Sequence, residues 1–164
     1  METMTLQDAI RRSIQTEKNA MDFYLAGAQK MKNERARKSF EVLAREERDH
    51  ARMFYDLYPG DDLPAFDDMI AAPPTRPEES FTEEERALFA AFDDRKAMEL
   101  AMKKEQQLAD HLRKMVDRFE DPEVRAIFEA NVKSTDGHYQ LIESEYAHLM
   151  GMVHETDIDT YVRE

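Results

Sequence analysis

Four stretches of this chain place side chains that can be buried at alternating steps of three and four residues, and each stripe is interrupted near mid-length by an acid or an imidazole. The first runs Ile10, Ile14, Glu17, Met21, Tyr24, Ala28, Met31. The second runs Phe40, Leu43, Glu47, His50, Phe54, Leu57, and the third Met98, Met102, Glu105, Ala109, Leu112, Val116, Phe119. The fourth, Phe128, Asn131, Thr135, His138, Ile142, Glu145, Leu149, is more polar but keeps a histidine at the corresponding level. This spacing is the buried face of a helix in a bundle. The chain is therefore expected to be all-α, with four long helices around one seam.

Composition agrees. Apolar residues make up 41% of the 164, enough for one core, while 36% charged residues and only four glycines suit long solvated helices and argue against a sheet. A single domain over 1–164 is expected. Five of the six prolines (Pro59, Pro64, Pro73, Pro74, Pro77) fall between Tyr58 and Ser80, so the helical text divides there. Thr5 caps a first helix over 5–32, with Asp8 three positions on. Asn33 caps a second over 33–58, ended by Pro59-Gly60. Helical pattern resumes over 82–119, divisible into a short piece to Phe92 and a main one from Asp94. Asp121-Pro122 then opens a fourth helix over 121–150. The short connections make two antiparallel hairpins. The crossover, 59–81, is read as a connection without an element of its own; at about 3.3 Å per residue it can run the length of a bundle and leave the second and third helices parallel. The polar tail, 151–164, carries no assignment and no convincing fifth helix, which disfavours a storage cage.

The formal charge of −13 repels phosphate backbones and anionic lipid, so neither nucleic acid nor membrane is an expected partner. No apolar run approaches the ~20 residues of a membrane span, and Met1 to Arg12 lack the stretch of a signal peptide, so a soluble cytoplasmic protein is expected. With no cysteine, any metal must be held by carboxylate and imidazole.

The seam positions repeat. At an offset of 88 residues Glu17 matches Glu105, Phe40 matches Phe128 and His50 matches His138, so the chain reads as a doubled helical hairpin. An ionised carboxylate in a dry core costs several kcal/mol unless paired or ligating, and no seam lysine or arginine is available. Acids with two neutral imidazoles suit iron, manganese or a similar divalent ion. Glu47 and His50 form a Glu-x-x-His pair on one helical face. The matching frame on the fourth helix is Thr135-Asp136-Gly137-His138, in which the acid is missing.

On Glu17 with Tyr24 seven residues later, Glu47 with His50, Glu105 and His138, in that order and spacing, the chain resembles the rubrerythrin-type ferritin-like di-iron carboxylate family over about residues 6–150. The resemblance implies a ferritin-like four-helix bundle of two hairpins joined by a long crossover. It implies that Glu17 and Glu105 are terminal ligands, that His50 and His138 each hold one metal, that Glu47 is a bridge, and that Tyr24 stands behind the ligands. The implied cofactor is iron, two ions, or one if the site is incomplete at Thr135, with manganese or zinc as alternatives. The implied activity is that of a peroxidase or oxidase using dioxygen or hydrogen peroxide, drawing on an external electron donor and working as a homodimer. No residue is assigned a catalytic role.

The pattern departs from the family in three places. Thr135 stands where the family has its second bridging glutamate, and Asp136 is rotated about 100° off the ligand face. Leu108, three after Glu105, replaces a further glutamate. The absence of cysteine excludes a rubredoxin-like domain within the chain. Plainer readings accompany these. Thr135 and Asn131 are expected to be hydrogen-bonded core polar groups, His111, His148 and His154 solvated, and the acidic clusters Asp61-Asp62, Asp67-Asp68 and Glu83-Glu84-Glu85 solubilising charge. Metal binding without turnover, or a degenerate bundle used for association, are the alternatives to an enzyme.

Overall fold

Each long helix opens on a side chain that accepts from its first turn. In the computed structural model, which describes residues 5–72 and 81–151, Thr5 Oγ1 accepts from Asp8 N at 3.1 Å and Asn33 Oδ1 from Ala36 N at 2.9 Å. Asp93 and Asp121 do the same for Lys96 N and for Glu123 N and Val124 N. The helices so started are α1 (Leu6–Lys30), α2 (Glu34–Leu57), α5 (Asp94–Arg118) and α6 (Pro122–Leu149), with two short ones, α3 (Phe66–Ala71) and α4 (Glu83–Ala90), between the hairpins. There is no strand among the described residues.

The α3 helix corrects the reading of 59–81 as a connection without an element. Phe66 and Ile70, four apart, form a buried face of one turn, and Asp67 and Asp68 sit in its first turn, where the helix dipole favours acids. Arg48 and Arg52 of α2 lie over the Phe66 ring. Residues 73–80, with Pro73, Pro74 and Pro77, and the tail from 152, with His154, lie outside the described residues. The break between α4 and α5 falls where Phe92 and Asp94 placed it.

Cross-helix pairs fix the directions. Arg35 at the start of α2 meets Glu145 near the end of α6 at 2.7 Å, and Phe54 near the end of α2 meets Phe128 near the start of α6, so these two helices are antiparallel. Asp94 at the start of α5 accepts from Lys32 N and Asn33 N in the α1–α2 turn, so α1 and α5 are also antiparallel. Hence α2 and α5 run parallel, as a long crossover requires. Gly27 allows the close approach of α1 to α2: a Cβ there would lie 2.8 Å from the Phe40 ring.

Two apolar clusters fill the bundle. One gathers Met21, Phe23, Tyr24, Phe40, Leu43, Met98 and Ile142; the other gathers Ile10, Ile14, Phe54, Leu112, Met115 and Phe128. Glu17 lies between Ile14 and Met21 in sequence, Glu105 between Ala101 and Leu112, and His138 between Phe128 and Ile142. The polar residues thus form a layer between the clusters, shielded from bulk water above and below.

Candidate metal centre

Glu17, Glu47, His50, Glu105 and His138, carried by four different helices, are each at most 6% exposed and come together in this layer. Two overlapping groups result: Glu17, Glu47 and His50 offer ligand atoms all within 4.8 Å of one another, and so do Glu47, Glu105 and His138. Glu47 belongs to both. His50 Nδ1 is 3.6 Å from Glu17 Oε2 and 3.9 Å from Glu47 Oε1. His138 Nδ1 is 2.9 Å from Glu47 Oε1 and 3.6 Å from Glu105 Oε1. The two imidazoles stack with centroids 5.4 Å apart and planes 12° apart.

The outer nitrogen of each ring is held by a group outside the apolar stripes. His50 Nε2 is 2.8 Å from Ser134 Oγ, and His138 Nε2 is 3.0 Å from Glu46 Oε1. Both rings are thereby turned so that Nδ1 faces the acids, the arrangement by which a ligating histidine is fixed. Glu46 and Ser134 were not legible as site residues. Each directly precedes a seam position, and a side chain about 100° off the buried face looks like any solvated one. Tyr24, 1% exposed, donates to Glu105 Oε1 at 2.5 Å and ties α1 to α5.

Several inward-facing atoms have no hydrogen-bond partner, namely Glu17 Oε2, Glu47 Oε2, Glu105 Oε2 and His50 Nδ1, while His138 Nδ1 and Glu47 Oε1 face each other at 2.9 Å. Buried polar atoms are nearly always satisfied, so four orphans at one depth signal a missing ligand. Burial accordingly raises the Glu17 carboxyl to about 7, and burial together with the Glu17 charge raises Glu47 to about 8. Glu105 is also pushed up by burial, and His50 down. Burial alone would lower His138, but the carboxylates of Glu105 and Glu47 override it and carry the imidazolium up to about 11. Burial and the nearby Glu105 lift Tyr24 well above the usual phenol range, so it stays a donor. Three acids and two imidazoles with orphaned inward atoms fit a pair of divalent cations, which would supply the charge the acids lack.

The remaining candidates fall elsewhere. Thr135 is fully buried one turn before His138, yet its hydroxyl has no partner. Asn131 donates to Ile127 O but leaves its own carbonyl oxygen unpaired, so the expected hydrogen-bonded pair of core polar groups is only half realised. Asp136 faces outward and pairs with Arg113 at 2.7 Å. His111 is exposed, whereas His148, expected to be solvated, is half-buried with its ring within 3.2 Å of Arg35. The acidic clusters are not merely solubilising. Asp62 pairs with Arg11 at 2.7 Å, and Glu85, 2% exposed, closes its own capping box and pairs with Lys104 at 2.6 Å.

Residues 8–146 match the rubrerythrin family. The chain belongs to the rubrerythrin family. Its bundle is therefore ferritin-like. Among solved structures the chain is similar to a hypothetical protein from Pyrococcus furiosus, with a TM-score of 0.66 and 20% identity over 92% of this chain and 93% of that one, which shows a shared fold. No curated protein matches the chain.

Proposed function

We propose that this rubrerythrin-family protein is a non-haem di-metal oxidoreductase, its metal iron, acting on dioxygen or hydrogen peroxide. The observation that carries the reading is Glu47: one fully buried carboxylate shared by two three-residue groups. Glu17, Glu47 and His50 would hold one ion, and Glu47, Glu105 and His138 the other. Bound iron would supply electron transfer to the oxidant. The chain's own residues supply the rest. Ser134 and Glu46 hold the outer ring nitrogens and so orient the imidazoles, Tyr24 holds Glu105 with a hydroxyl that keeps its proton, and the flanking apolar clusters keep bulk water out. Manganese or zinc suit the same donors.

The chain has no cysteine, so this reading takes electrons from an external donor, in a cytoplasmic homodimer. No helix among the described residues is long and apolar enough to cross a membrane, which fits that placement. The test is anaerobic loading with ferrous iron, then repeated peroxide additions with a chemical reductant. Sustained consumption supports the enzyme. Oxidation that stops after one equivalent per centre supports a second reading, iron binding without turnover, which Thr135 favours because it removes one acid from the site. Metal-free protein indifferent to iron leaves association as the role of the bundle.

A further inference from the structure

Close backbone packing joins α1 to α2, α5 to α6 and α2 to α6, but not α1 to α5. In that wider seam lies a cleft of about 520 Å³, and Tyr24 and Glu105, joined by their hydrogen bond, are among its walls. The cleft therefore reaches the candidate centre from the α1–α5 side. Its volume falls in the ~300–1,000 Å³ range of small-molecule sites and far exceeds the ~30 Å³ share of one water, so a molecule the size of peroxide would leave most of it unfilled.

We infer that this cleft binds a small neutral organic molecule with a hydroxyl-type donor head, placed against Glu85. Ala20, Phe81 and Leu108 give it an apolar wall. At the polar end Glu85 is 2% exposed, and its Oε2 has no partner, while Oε1 is taken by Lys104. This orphaned acceptor calls for a donor from the ligand. Lys104 is already engaged by Glu85 and lies over the Phe23 ring, 4.5 Å from its centroid, so no uncommitted cation welcomes an anionic head. Thr82 and Glu85 belong to the capping box that starts α4, so a feature built locally for one short helix also forms the outer side of the cleft.

This inference names the substrate class for the proposed oxidoreductase, but the cleft can be tested without metal. Benzyl alcohol and benzoate, the same ring with opposite heads, would be titrated into metal-free protein while amide NMR signals are followed. The expected result is saturable shifts at Ala20, Leu108 and Glu85 with benzyl alcohol, and at least tenfold weaker binding of benzoate. Leu108→Trp, which fills the cleft from its wall, should abolish those shifts while keeping the native melting transition and the native metal count. Should Leu108→Trp fail to fold, Ala20→Leu fills the same space from α1. Equal binding of the two probes, no saturable shift, or unchanged binding in a folded filling variant overturns the proposal. Probe binding in a protein without peroxide turnover would leave the cleft standing and remove only the enzyme.

Discussion

The two hairpins of this bundle are related by a repeat, yet they equip the centre unequally. The α1–α2 hairpin supplies Glu17, Glu47 and His50, and Glu47 belongs to both three-residue groups. The α5–α6 hairpin supplies Glu105 and His138, with Thr135 where an acid would repeat Glu47. In the metal-free protein the second position is the more nearly neutralised, because His138 is held as an imidazolium between Glu47 and Glu105, with Glu46 behind it. His50 is instead pushed towards neutrality. The half with fewer acids thus carries the internal cation, and the half with more acids depends most on an external one.

The sharpest way to break this comparison is Glu47→Gln. Both positions lose their shared ligand, so metal content should drop from about two ions per chain to near zero, read by elemental analysis. The metal-free variant should lose less stability between pH 5.5 and pH 8 than the parent, because a carboxyl that titrates at about 8 in the folded state has gone; chemical denaturation at the two pH values gives the difference. His50→Ala and His138→Ala come next. Each should leave about one ion per chain, and the ion left behind His50→Ala should be the weaker bound, since it sits beside Thr135. Thr135→Glu should tighten the second position roughly tenfold or more, measured by chelator competition, while lowering metal-free stability.

A smaller and more diagnostic effect is the pH dependence. Glu17 and Glu47 are ordinary carboxyls when unfolded but titrate at about 7 and about 8 when folded, so between their unfolded and folded values the native state holds protons that the unfolded state has released. Their contribution to stability is present in acid and lost as pH rises from about 4.5 through 8. His138, raised to about 11, is lost in the same direction above its unfolded value, and His50, lowered, opposes weakly in the acid range. Metal-free protein should therefore melt lower at pH 8 than at pH 5.5. Metal-loaded protein should show the reverse, because ligation needs the deprotonated groups, and loading at pH 7 should release about two protons per chain. Smallest is Tyr24→Phe, which leaves Glu105 Oε1 without its donor and should cost about 1–3 kcal/mol with little change in metal count.

Much of this was written in one dimension. Stripe spacing marks the four long helices, and Thr5, Asn33 and Asp121 mark their starts, because capping and periodicity are local. The five polar seam residues stand out because each interrupts an apolar face. What was not legible depends on contacts across the fold. Glu46 and Ser134 become orienting groups only because α2 and α6 lie antiparallel, and Glu85 is buried only because α4 folds back onto α5 at Lys104. The α3 turn escaped because two apolar residues four apart are too few to signal a helix without the Arg48 and Arg52 side chains that cover it.

The most direct test of the centre is a count of metal ions per chain in protein purified without chelator, paired with melting curves before and after adding ferrous iron. The account predicts about two ions, removed by Glu47→Gln, and a melting temperature that rises with iron in the native chain alone. A native chain that holds no metal, and melts at the same temperature with or without iron, manganese or zinc, would contradict it.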